Sequence, residues 1–212
     1  MKKVDMTHWE RAELFEFFSS VSHPFYSVTF RVDVTNLYRY VKEHQLSFYY
    51  SLSWLATRAV NSVENFRYLL RDGQLFLTEE RVPSMTDMKP GSSRFHIVTL
   101  PYQEDMAAFC AAAKARSAVQ TTLLDQDDEN DTLIYFSCTP WFDLTALTNE
   151  RDFDRDDNIP RIAWGRYVEE NGRKTLGMSV EVNHRFIDGY HLGKFYQLLQ
   201  QEIDTLSIET NL

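Results

Sequence analysis

The run Met178-Ser179-Val180-Glu181-Val182-Asn183-His184-Arg185-Phe186-Ile187-Asp188-Gly189-Tyr190-His191 organises the reading of this chain. Its first five residues alternate apolar and polar, which is the period of a strand. The strand ends in a histidine. After three intervening residues come Asp188 and Gly189, and then a helical pattern. An ionisable base therefore sits where a strand gives way to a loop, the place where scaffolds usually hold reacting groups. The plainer alternative is an ordinary strand-end histidine beside an ordinary Asp-Gly turn.

Downstream, Leu192, Phe195, Leu198, Leu199, Ile203 and Leu206 follow helical spacing from about Tyr190. Upstream, residues 161–169 and 174–183 read as two strands joined through Asn171-Gly172, a two-residue hairpin signal. Asp72-Gly73 joins a second such pair, Phe66–Arg71 and Gln74–Glu79. Further strands are expected over 25–34, 82–88, 94–100 and 132–139. Helices are expected over 5–20, with Asp5 or Thr7 as cap, and over 36–44, 47–63 and 103–120. Residues 142–149, after Pro140-Trp141, read as extended or irregular and rich in hydroxyls. Helices and strands mix without a regular βαβ alternation. That implies an α+β fold with helices stacked on a largely antiparallel β-sheet.

At 212 residues the chain suits one domain over 1–212 with a real core. The net charge of −9 argues against broad attraction to nucleic acid. Fifteen Phe, 11 Tyr and four Trp point to sheet packing or an aromatic-lined pocket. The acidic clusters at 125–131 and 150–157 read as solvated loops. Cys110 and Cys138 lack a metal or redox spacing and read as small buried apolar residues. No apolar run approaches the roughly 18 residues of a membrane span. The N-terminus lacks the apolar stretch of a secretory signal, so a soluble cytoplasmic protein is expected.

The chain has no phosphate loop, no Gly-x-Gly-x-x-Gly and no zinc-ligand spacing, so no metal is expected. Without a Gly-x-Ser-x-Gly elbow, serine-hydrolase chemistry has no support. His184 is the best remaining base, mostly neutral near pH 7 at its ordinary pKa. Asp188 has three possible jobs: orienting His184, pairing with an arginine, or capping the following helix.

The segment 180–191 resembles the His-His-x-x-x-Asp-Gly-(Phe/Tyr)-His segment of chloramphenicol acetyltransferases. Trp9-Glu10-Arg11 with Phe15-Glu16-Phe17 looks like that family's N-terminal helix. Phe25-Tyr26-Ser27-Val28-Thr29, Ala59-Val60-Asn61, Pro101-Tyr102 and Pro140-Trp141 follow in the family's order, so the resemblance covers nearly the whole chain. It implies a CoA-dependent acyltransferase that moves acetyl from acetyl-CoA to a hydroxyl of chloramphenicol or a similar small acceptor. An antibiotic-resistance role would follow. It implies His184 as general base in a direct transfer without an acetyl-enzyme. It implies Asp188 paired with Arg11, and Phe18, Tyr26 and Phe95 in the acceptor pocket. Arg166 and Tyr167 would lie beside the CoA nucleotide. It also implies a two-layer sandwich of helices packed on a mixed, largely antiparallel β-sheet, and a homotrimer with active sites between subunits.

The sequence departs from the family at three places. The serine that holds the oxyanion falls on Ala146, so Thr145 or Thr148 would have to supply the hydroxyl after a short shift. The first histidine of the pair is Asn183. A pocket tyrosine is Phe18. Two other readings remain. One is an acyltransferase with another acceptor, since 183–189 is also similar to the Asp-His-Arg-x-x-Asp-Gly segment of dihydrolipoyl acyltransferases. The other is a catalytically weakened homologue that keeps only ligand binding.

Overall fold

Alternation along the last strand decides what covers each face of the sheet. In β10 (Arg173–Asn183), Met178, Val180 and Val182 point into a core shared with the helices. Gly177, Ser179 and Glu181 point the other way. The computed structural model describes residues 1–151 and 156–207, excluding the Asp128 side chain.

The main sheet has the order β2-β10-β8-β7-β5-β6, with β9 paired to β10. Its strands are β2 (Phe25–Asp33), β5 (Val82–Met88), β6 (Phe95–Thr99), β7 (Leu133–Thr139), β8 (Arg161–Gly165) and β9 (Val168–Glu170). β7 runs parallel to both β5 and β8, and the other pairs are antiparallel. A small antiparallel sheet joins β1 (Lys2–Lys3), β4 (Gln74–Leu77) and β3 (Tyr68–Arg71). The helices are α1 (Ala12–Ser19), α2 (Thr35–Glu43), α3 (Phe48–Asn61), α4 (Met106–Val119) and α5 (Gly189–Asp204). Leu52, Leu55, Ala56, Ala59 and Val60 of α3 and Leu192, Phe195, Leu199 and Ile203 of α5 are buried in the core. The fold is thus the expected layer of helices on a mixed, mostly antiparallel sheet.

Both hairpins turn as their dipeptides require. Asp72 and Gly73 have φ of 50° and 71°, and Asn171 and Gly172 have 52° and 79°. Two successive left-handed residues match the right-handed twist of the flanking strands. The second hairpin differs from expectation in one respect. The strand expected over 161–169 is broken into β8 and β9. Trp164 faces Met178, whereas Val168 faces Thr175, so the register advances by one residue between them. A bulge of this kind re-aims side chains, here at Arg166 and Tyr167.

Three expectations need correction. The first helix begins at Ala12 rather than near residue 5, with Arg11 as an N-cap that makes no side-chain cap bond. The Asp5 carboxylate instead accepts from the Thr7 backbone (3.0 Å) and hydroxyl (2.7 Å), closing a local turn. Within the helix Phe15 is buried and Phe17 is 63% exposed. Nor are the acidic clusters simply solvated. Asp131 pairs with Arg71 at 2.5 Å, Asp157 with the buried Arg151 at 2.7 Å, and Asp156 with Arg185 at 2.8 Å. Residues 152–155 of the second cluster lie outside the described residues. Lastly, Cys110 is buried but Cys138 only partly so; burial still pushes its thiol up to about 12.

Candidate active site

His184 sits one residue past the end of β10. Its backbone N–H donates to the Pro24 carbonyl at 2.7 Å, continuing the β2–β10 pairing one step past the strand. Its carbonyl accepts from the Arg11 guanidinium at 2.9 Å. The imidazole is fixed by two rings. Phe18 from α1 stacks on it, with centroids 3.8 Å apart and planes at 25°, and Tyr26 from β2 lies at 4.3 Å and 40°. Burial holds the His184 pKa below its ordinary 6.5, assisted by the Arg11 charge and opposed by Asp188. The ring is therefore neutral at pH 7 and ready to take a proton.

Arg11 is the hub of the loop. It is 5% exposed. Nε donates to the Arg185 carbonyl at 3.0 Å, Nη2 to the His184 carbonyl, and Nη1 to the Asp188 carboxylate at 2.7 Å. Its planar fork thus serves three acceptors on one loop. Of the three jobs open to Asp188, the structure shows two. It pairs with Arg11, and it caps α5 by accepting from the Tyr190 N–H at 3.0 Å. These bonds keep its carboxyl below the usual range despite burial. His191 adds a further contact. Its Nδ1 lies 2.8 Å from the Asp188 carboxylate and 3.2 Å from the Asp188 backbone N–H. A single nitrogen cannot both donate to the first and accept from the second. The shorter contact to a charged oxygen favours donation.

The Tyr26 hydroxyl is buried without a hydrogen-bond partner among the described residues. Burial, with the Asp188 charge, pushes it up to about 12, so it remains a donor. An unmet donor beside His184 suits a polar ligand atom.

The remaining expected residues lie elsewhere in the chain. Thr145 and Thr148 are exposed on the strap 142–151, which crosses the sheet face opposite the helices. Phe95 is half exposed on β6, the far edge strand. Four strand steps separate it from β10, roughly 19 Å at ordinary spacing. Arg166 is exposed at the bulge, its N–H donating to the Phe142 carbonyl at 2.8 Å. Tyr167 packs edge-on to Tyr38 at 5.4 Å. One chain therefore brings together Arg11, Phe18, Tyr26, His184 and Asp188. It keeps Thr145, Thr148, Phe95, Arg166 and Tyr167 apart from them.

Sequence reasoning missed Arg185, Glu181 and Arg151. Arg185 donates to the Ser19 hydroxyl at 2.9 Å and lies over the Phe15 ring at 4.4 Å, tying α1 to the loop. Strand alternation places Glu181 on a face but does not say that the face is covered. Among the described residues, no group of three or more His, Cys, Asp or Glu could hold a metal ion. No helix among them is long and apolar enough to cross a membrane.

Comparison with solved structures defines the class. A chloramphenicol acetyltransferase superposes with a TM-score of 0.87 at 25% identity, covering 96% of this chain and 100% of that one. A dihydrolipoamide acetyltransferase of Azotobacter vinelandii shares the fold at a TM-score of 0.68 and 15% identity, over 92% and 86% of the two chains. The protein has the fold of these acetyltransferases. Chloramphenicol acetyltransferase 3 of Escherichia coli is 27% identical over 203 residues, 94% of this chain and 95% of that protein. A chloramphenicol acetyltransferase of Bacillus pumilus is 26% identical over 206 residues, 96% and 93% of the two. The chloramphenicol acetyltransferase family model matches residues 1–200, and the chain belongs to that family.

Proposed function

We propose that the protein transfers acetyl from acetyl-CoA to a hydroxyl of chloramphenicol or a similar small acceptor, with His184 as general base. The observation that carries this is the partly buried imidazole clamped between Phe18 and Tyr26, on a loop that Arg11 and Asp188 fix. An unprotonated ring nitrogen takes the hydroxyl proton as the oxygen attacks the thioester carbonyl. The tetrahedral intermediate collapses with cleavage of the C–S bond. The imidazolium returns the proton to the departing sulfur, giving the ester and free CoA thiol. General base catalysis of this kind contributes roughly 10²–10⁴-fold. No acetyl-enzyme is formed. Acetyl-CoA is the co-substrate, with Arg166 and Tyr167 beside its nucleotide, and no metal takes part.

The oxyanion needs a donor, and the Ala146 side chain has none. Thr145 or Thr148 of the strap supplies it. Both lie on the sheet face opposite the helices, and Phe95 is at the far edge, so a complete site needs a second copy of the chain. We therefore read the active unit as a homotrimer with sites between subunits, located in the cytoplasm and serving antibiotic resistance. Ala146 also gives substance to a second reading, a homologue that binds ligand without turning it over.

The test is thiol release from acetyl-CoA with chloramphenicol as acceptor, together with the mass of the acceptor after reaction. The reading predicts release and an acceptor heavier by one acetyl group. Binding without release supports the second reading. Release with dihydrolipoamide or other alcohols, but not with chloramphenicol, keeps the reaction and removes the resistance role. An acetyl adduct on protein mixed with acetyl-CoA alone would contradict direct transfer.

A further inference from the structure

The strap that carries Thr145 and Thr148 is fastened residue by residue. At its start, Arg31 grips Asp143 with bonds of 2.7 and 2.9 Å. Leu144 lies against Gly165 and Gly177, where a Cβ on Gly177 would stand 1.8 Å from the Leu144 carbonyl oxygen. The Ser179 hydroxyl donates to the Leu147 carbonyl at 2.8 Å. At its end stands Glu181, 4% exposed. Its carboxylate accepts from the Asn149 N–H at 2.9 Å, the Ser27 hydroxyl at 3.1 Å and Arg151 Nε at 2.9 Å. Arg151 in turn bonds Asp157, whose carbonyl accepts from the Asn183 amide at 3.1 Å. Asn183 immediately precedes the base. The anchors Gly177, Ser179 and Glu181 share one face of β10, the strand that ends at His184.

An ion pair this deeply buried is a poor source of net stability beside an apolar replacement. Its geometry instead defines one position for the strap. We infer that Glu181 and Arg151 are positioning residues for catalysis, holding the strap so that its threonine hydroxyl is preset to receive the oxyanion. The inference rests on the proposed acetyl transfer. It assigns the pair no contact with substrate. A displacement of about 1 Å in such a donor costs as much as 10²-fold in rate.

The experiment compares Glu181→Ala, Glu181→Gln and Ser179→Ala with the wild type, using steady-state kinetics and hydrogen exchange over 143–150. Glu181→Ala is expected to lower kcat by tenfold or more, as an order-of-magnitude figure for a misplaced donor, with KM for both substrates within about threefold. Exchange should quicken in 143–150 and stay unchanged in 25–33. Glu181→Gln keeps an oxygen for the Asn149 N–H and should recover most of kcat. Ser179→Ala removes only the Leu147 anchor and should give a smaller loss of kcat. It decides the matter if Glu181→Ala does not fold. Wild-type kcat in folded Glu181→Ala or Ser179→Ala, or an effect confined to KM, overturns the inference alone. Wild-type protein that releases no thiol overturns the acetyl-transfer reading and the inference with it.

Discussion

At the scale of single residues, the charges around His184 act in opposite senses, and this gives a sign test. Arg11 lowers the His184 pKa and Asp188 raises it, both beneath a larger lowering from burial. The acid limb of kcat/KM should therefore fall below pH 6.5 in the wild type. It should move up in Arg11→Ala and down in Asp188→Asn; movement in the opposite directions would show that another group titrates. Arg11→Ala also leaves the Asp188 carboxylate and two carbonyls without their donor. It should cost about 3 kcal/mol or more in denaturant unfolding. Arg11→Lys should recover little of this, because a single ammonium cannot reproduce the fork. The Arg11–Asp188 pair beside His184 was legible in the sequence because a motif and an N-terminal match named its two members. Arg185 and Glu181 were not, because their roles arise from contacts across 166 and 154 positions of the chain.

At the scale of elements, strand and helix centres were legible and their ends were not. The Asp-Gly and Asn-Gly dipeptides fixed two turns because few residues tolerate positive φ. The start of α1 was misread because Asp5 closes its own turn before the helix begins. The bulge between β8 and β9 was invisible because a one-residue slip leaves no mark on alternation so short. The strap read as irregular, and it has no strand partner. Its path is set by two glycines on the sheet beneath it. Gly177→Ala should destabilise the protein by roughly 1–3 kcal/mol through overpacking against Leu144. Gly193 of α5 has open space where a Cβ would go. Gly193→Ala should therefore stabilise by about 0.5–1 kcal/mol. Equal effects in urea melts would mean that the strap yields at Gly177.

At the scale of the whole molecule, the titrating groups lean one way. The His184 and His191 pKa values are lowered by burial from 6.5. The folded state then binds fewer protons than the unfolded chain as pH falls below 6.5, and stability drops. Asp188 and Glu181 are held below their ordinary 3.8 and 4.5. Their contribution is present above those values and is lost as pH falls through the folded pKa. Calorimetry should give Tm falling from pH 7 to 5.5 and again below pH 4.5; a higher Tm at pH 5.5 than at pH 7 would oppose this. The exposed Phe17 and Trp141, 63% and 64% accessible, suit a surface covered by further copies. Native mass spectrometry should show three chains. A monomer that is fully active would contradict the proposal of a site shared between subunits.

The central claim is that His184 is the base, and its removal tests this most directly. In the thiol-release assay, His184→Ala should lose about 10³-fold or more in kcat, while circular dichroism and oligomer mass stay as in the wild type. His184→Ala retaining kcat within tenfold of the wild type would contradict the account.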